Sequence, residues 1–245
     1  MSKDGMKECF RDPGPGRTAR LAGMFYLFTF LIGGIAEFAS GGLLAPGDAR
    51  VTAANVLAHE GSFWSGFVAF LLVLACYIAV TGLFYELFKP VNPTLSLLAA
   101  FFSLVGCAIQ ASACFFYLGP SLLLGNADSS VGVSVNELQD LAYLSLKSYG
   151  QTYGIGFVFF GFYCSLIGYL VFKSTFLPRI LGVLMVAAGL GWLTFLLPPF
   201  ANTLGPYVVA PGVVGEASLT LWLLAKGVDA QRWRELAGAR AAQRT

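Results

Sequence analysis

At 245 residues, with 57% hydrophobic and 11% charged, the chain carries far more apolar surface than soluble domains, in which about 45–50% of residues are apolar and about 25% charged. That balance excludes an ordinary soluble fold and makes lipid the solvent of the surplus. The formal charge of +2 is too small to argue for a nucleic-acid partner.

Met1 to Gly16 is polar, holds Pro13 and Pro15, and reads as a tail. The first apolar run, Thr18 to Leu44, has spanning length, since a bilayer needs about 20 residues of helix. A cleaved signal peptide is the rival reading, with small residues at Ala39, Ser40 and Gly41. The run exceeds the roughly 7–15 residues of a signal core, which favours a retained span. Asp48, after Pro46-Gly47, is placed to cap a short amphipathic helix over Ala49 to Glu60, and Gly61 suits the reversal that follows.

A second span is expected over Phe63 to Phe88. The turn Lys89-Pro90-Val91-Asn92-Pro93 offers Asn92 as a cap and Pro93 at the first helical position. The third span runs from Pro93 to Leu124, with a kink or end near Gly119-Pro120. Gly125 to Asn136 is a polar loop. Ser134 with Glu137 forms a capping-box pattern that opens a second short amphipathic helix through Leu138, Leu141 and Ala142. The fourth span covers Tyr149 to Phe172, where Gly150, Gly154 and Gly156 allow close helix contact. The fifth covers Pro178 to Leu197. The sixth covers Pro206 to Ala225, with Pro211-Gly212 inside it, and a basic tail follows from Lys226 to Thr245.

The expected fold is therefore all-α: a polytopic bundle of six transmembrane helices over 18–225, with tails 1–17 and 226–245 and two short outer helices. With the N-terminus inside, Lys3, Lys7, Arg11, Arg17, Arg20, Lys89, Lys173, Arg179 and the basic tail all lie inside. Only Arg50 and Lys147 lie outside, so the positive-inside rule puts both termini in the cytoplasm.

Two acids fall deep in the apolar runs. Helical rise places Glu37 about 25 Å from Arg20 and Glu216 about 15 Å from Lys226. Intramembrane acids face the bundle interior and find partners, and low dielectric disfavours their charged form. Each is either a ligand, ion or proton site or a protonated acid bonded to a neighbouring helix. Pro211 and Gly212 loosen the helix that carries Glu216, as in transporters built around broken helices. Gln110, about 25 Å from Pro93, is at nearly the depth of Glu37, which allows a hydrogen bond between the two that needs no function. Lys147, Gln151 and Tyr153 stand at the outer mouth of the fourth span, where Asp48, His59 and Glu60 complete either a pocket rim or an ordinary polar surface.

The five cysteines, Cys9, Cys76, Cys107, Cys114 and Cys164, imply no disulfide framework and read as small apolar fillers. The single histidine, His59, makes no metal motif, and no phosphate-binding loop occurs. No cofactor is expected. The aromatic runs around Tyr26 and from Phe157 to Tyr163 read as packing or lipid-facing residues.

Four stretches stand out: Arg20-Leu21-Ala22-Gly23 leading to Ala36-Glu37, Pro46-Gly47-Asp48-Ala49 with Thr52-Ala53-Ala54-Asn55, Leu87-Phe88-Lys89-Pro90-Val91-Asn92, and, most distinctive, the run from Phe159-Phe160-Gly161 through Gly168-Tyr169-Leu170 and Phe176-Leu177-Pro178-Arg179 to Ala188-Gly189. They resemble the bacterial membrane family catalogued as domain of unknown function 4386. The resemblance implies a multi-pass protein of the bacterial cytoplasmic membrane and transfers no activity. Lys147 stands where the family pattern implies a histidine before Ser148-Tyr149-Gly150.

The functional expectation is a protein that binds or moves a small solute, proton or lipid-like ligand through an intramembrane acidic site. Glu37, Gln110, Glu216, Lys147, Asp48 and Tyr153 are the candidate ligand-binding residues. A structural or regulatory subunit without a ligand is the alternative, and an intramembrane enzyme is a third reading. Membrane lipids, a homo-oligomer or another membrane subunit are the expected partners.

Overall fold

The computed structural model describes residues 14–125 and 132–242. Most of the expected N-terminal tail, the centre of the polar loop before Ser134 and the last three residues lie outside that range. The fold is all-α. Five helices are long and apolar enough to cross a membrane, and a sixth carries the shorter apolar stretch Val209–Ala225.

In chain order the helices are α1 (Gly14–Ser40), α2 (Ala49–Ala58), α3 (Glu60–Phe88), α4 (Pro93–Tyr117), α5 (Gly119–Leu124), α6 (Val135–Lys173), α7 (Arg179–Leu193), α8 (Pro198–Leu204), α9 (Pro206–Ala225) and α10 (Ala230–Ala242). Local chemistry sets their starts. Asp48 Oδ1 accepts the Val51 amide at 2.9 Å, and Asn92 Oδ1 accepts the Leu95 amide at 3.1 Å ahead of Pro93. The Ser134–Glu137 capping box is complete. These contacts satisfy amides that have no partner inside their own helix.

The amphipathic segment that opens at Ser134 runs without a break into the fourth span. Together they form the 39-residue α6, about 58 Å long. No proline interrupts it, and its N-terminal third packs against α2. There the Gly47 amide donates to the Tyr143 hydroxyl at 2.9 Å, and Arg50 donates to Asn136 Oδ1 at 3.3 Å.

The six long helices close a ring. In sequence order, α1 packs on α3, α3 on α4, α4 on α6, α6 on α7, α7 on α9, and α9 returns to α1. The α6–α7 seam is close, because glycines let the backbones touch. A Cβ on Gly168 would lie 2.7 Å from the Gly182 carbonyl oxygen, and one on Gly182 would lie 2.6 Å from that of Gly168. Small residues at such a seam replace the hydrophobic drive that lipid cannot supply.

The ring interior holds two apolar clusters. One gathers Tyr26, Phe84, Phe88, Ile167, Met185 and Leu219, and the other Phe63, Phe70, Cys114, Tyr117 and Leu146. The outside of the ring is apolar too: Ile35, Phe38, Phe101, Phe115, Ile180 and Leu190 are all exposed. An exposed apolar surface of that extent is a lipid-facing one, and the molecule is a multi-helix membrane protein.

The C-terminal helix α10 docks at the end of the ring where α1 begins and α3 ends. The Trp233 indole donates to the Leu87 carbonyl at 2.8 Å, and Arg240 donates to the carbonyls of Pro90 and Val91. Arg232 donates to the Thr175 carbonyl at 3.1 Å. Arg17, Arg20, Lys89, Lys173, Arg179 and Lys226 belong to this end by their places on the helices. Arg50 and Lys147 belong to the other, beyond the bundle from α10.

Candidate functional site

Glu216 sits on the ring-facing side of α9 and is 6% exposed. Tyr26 of α1 donates its hydroxyl to Glu216 Oε2 at 2.6 Å, and the Trp192 indole of α7 donates to Oε1 at 2.6 Å. The Tyr77 hydroxyl of α3 is 3.4 Å from Oε2, and Cys164 Sγ of α6 is 3.6 Å from Oε1. Five of the six ring helices therefore converge on one carboxyl group. An ionised carboxylate only accepts hydrogen bonds and has about four lone-pair sites, which these four donors match in number. None of them carries positive charge, and among the described residues no lysine, arginine or histidine bonds to Glu216.

Local sequence makes this arrangement fit. A Cβ at Gly212 would collide with the Trp192 ring, so glycine one turn before Glu216 lets the indole lie against α9. Trp192 in turn stacks on Phe157, with centroids 4.6 Å apart and planes at 9°.

A cavity of about 170 Å³ opens beside the carboxyl group. Its wall includes Thr29, Gln110, Tyr153, Val213 and Glu216, with the rings of Phe30, Tyr77, Phe157, Phe160 and Trp192. All six ring helices contribute. The volume is comparable with that of an apolar cavity that admits a benzene-sized molecule. Gln110 is 3% exposed, and its amide nitrogen donates to the Tyr153 carbonyl at 3.4 Å. Gly156 faces Gln110 so closely that a Cβ there would lie 2.5 Å from Gln110 Cγ.

Of the candidate residues read from the sequence, Glu216, Gln110 and Tyr153 thus share one cavity. Glu37, Asp48 and Lys147 do not line it. Glu37 is exposed, because its neighbour Ala36 is the residue turned into the bundle, at 0% exposure. Gln110 consequently bonds to the α6 backbone and not to Glu37. Glu37 still lies within electrostatic reach of Tyr149 and Tyr153. Asp48 is committed to capping α2. Lys147 is exposed and makes no ion pair among the described residues. Glu86 pairs with Lys89 at 3.6 Å, where both side chains are about half exposed, so it belongs to the surface.

The sequence reading did not single out Tyr26, Tyr77, Cys164 or Trp192 as site residues. A usable signal was present. Counted at 1.5 Å per residue from Arg17, Lys89, Lys173 and Arg179, they lie about 14, 18, 14 and 20 Å deep, close to the 15 Å of Glu216. A tryptophan at that depth also needs an acceptor for its N–H.

A family model described as domain of unknown function (DUF4386) matches residues 21–227. An uncharacterized protein of Archaeoglobus fulgidus is 27% identical over 164 residues, which is 65% of this chain and 82% of that relative. No solved structure matches.

Proposed function

The chain belongs to the DUF4386 family, and from that premise we propose that it binds and moves a small solute through the cavity beside Glu216. The carrying observation is one carboxyl group, bonded only by neutral donors, in the wall of a 170 Å³ space ringed by six helices. Pockets with few polar groups and mostly apolar walls are the usual form of a small-molecule site. The volume suits a small solute better than a lipid tail. Pro211, inside α9 and five residues before Glu216, removes a backbone donor and gives that helix a point at which to flex.

The protein works in the cytoplasmic membrane with both termini in the cytoplasm. This orientation is supported by the gathering of Arg17, Arg20, Lys89, Lys173, Arg179 and Lys226 at the end where α10 docks. The reading is tested by thermal melting of the purified protein against a panel of amines, carboxylates, sugars and quinone-like compounds. At least one class should raise the melting temperature of the wild type and leave Glu216→Gln unmoved. A panel that moves neither protein would count against it.

A second reading is favoured by the same donors: Glu216 ties the ring together and binds nothing. It requires Glu216→Gln to lose stability in proportion to its lost hydrogen bonds, with no compound class shifting the wild type.

A further inference from the structure

We infer that the occupant of the Glu216 cavity is a small organic cation, an ammonium group carried on a compact apolar body. This inference rests on the ligand-binding reading of the same cavity. An ionised carboxyl group inside a membrane bundle needs a countercharge. The four groups that bond to Glu216 satisfy its lone pairs, yet all are neutral. No lysine, arginine or histidine is among the described residues that wall the cavity. When Glu216 is ionised, the bundle thus supplies the anion and leaves the cation to the ligand.

The wall says which kind of cation. Phe30, Tyr77, Tyr153, Phe157, Phe160 and Trp192 are six rings around one small space. Aromatic faces attract ammonium groups, and they do so most strongly where water is excluded. A bare metal ion is a poor fit: calcium takes about six to eight oxygen ligands and magnesium wants a near-octahedral set. This wall offers one carboxyl group already bonded four ways, a few hydroxyls and the Gln110 amide.

The ring contacts also continue beyond the cavity. Tyr117, Tyr149, Tyr153, Phe157 and Trp192 form a run of ring contacts, with successive centroids 5.1, 5.5, 5.4 and 4.6 Å apart. Glu37 is an electrostatic neighbour of Tyr149 and Tyr153 in that run. One acid thus stands beside the run near the Arg50 end of the bundle, and the other stands at its foot.

The test is titration calorimetry on the full chain in phosphatidylglycerol nanodiscs, with matched probes. Choline is compared with 3,3-dimethylbutan-1-ol, its neutral carbon analogue, and benzylammonium with benzyl alcohol. The ammonium member of each pair should bind at least about tenfold more tightly, and Glu216→Gln should remove the gap. Phe157→Leu keeps the carboxyl group and should weaken the ammonium probes more than the alcohols, so the inference does not hang on one variant's folding. Neutral probes that bind as well as the ammonium probes would overturn the cation and leave a ligand site standing. Binding by neither probe, while another panel compound raises the melting temperature, would do the same. No binding by any compound would overturn both readings. Loss of choline binding in phosphatidylcholine nanodiscs would identify the lipid headgroup as the source of the same cation.

Discussion

Trp192 and Glu216 meet across the bundle: the indole N–H of α7 donates to Glu216 Oε1 at 2.6 Å, while Tyr26 of α1 holds Oε2 at the same distance. One carboxyl group thus joins α1, α7 and α9, the helices at which the ring closes.

Replacing that group separates its structural work from its binding work. Glu216→Leu leaves the indole N–H buried without an acceptor, at about 1–3 kcal/mol, and leaves the Tyr26 hydroxyl only the Tyr77 hydroxyl at 3.4 Å. Glu216→Gln keeps one acceptor oxygen and should lose less. Thermal unfolding in detergent should rank wild type above Gln, and Gln above Leu. A Leu variant as stable as the wild type would show that the carboxyl group ties nothing together.

Gly212→Ala tests how Trp192 is seated. The added methyl meets the indole ring, so the ring must shift or the helices must part, at about 1–3 kcal/mol. Trp192 emission should move to longer wavelength in a background where Trp64, Trp222 and Trp233 are phenylalanine. Gly61→Ala is the control, since nothing lies within 4 Å of its new methyl. Identical spectra for the Gly212 variant and its parent would remove the glycine from the account.

The spans and caps were legible in the sequence because each rests on a one-dimensional rule. Apolar length must match bilayer thickness, and Asp48, Asn92 and Ser134 stand where free amides need acceptors. Glu216 was legible because a lone acid in an apolar run is costly whatever surrounds it. Glu37 met the same criterion and is exposed. A helix that is apolar all round carries no stripe to show which side faces its neighbours, so Ala36 and Glu37 could not be told apart as inward and outward. The partners of Glu216 were hidden for a related reason. Tyrosine, tryptophan and phenylalanine also serve lipid contact and packing, and only the closure of α9 on α1 brings Tyr26, Tyr77 and Trp192 to one point. The continuity of α6 was missed because the change from amphipathic to fully apolar sequence near Tyr149 reads as a boundary, although nothing there breaks a helix.

The α6–α7 seam should tolerate added volume poorly. At Gly168 and Gly182 a methyl group meets backbone, which cannot rotate away. Gly168→Ala and Gly182→Ala should each lower the melting temperature well below that of Gly82→Ala, whose methyl meets nothing within 4 Å. Equal melting temperatures across the three would contradict the packing described.

The orientation has its own check. In whole cells an impermeant maleimide should label a cysteine introduced by Arg50→Cys, and should label Arg234→Cys only after permeabilisation. The reverse pattern would invert the molecule in the membrane. Labelling of both from outside would mean that the chain crosses an even number of times between them.

The central claim, that the cavity beside Glu216 is a ligand site, is met most directly by equilibrium binding of labelled choline to the purified chain and to Glu216→Gln, each first shown to be folded. One choline should bind saturably per wild-type chain, and at least about tenfold more weakly to the variant. Equal affinity for the two proteins, or no saturable binding to the wild type by choline or any compound of the panel, would contradict it.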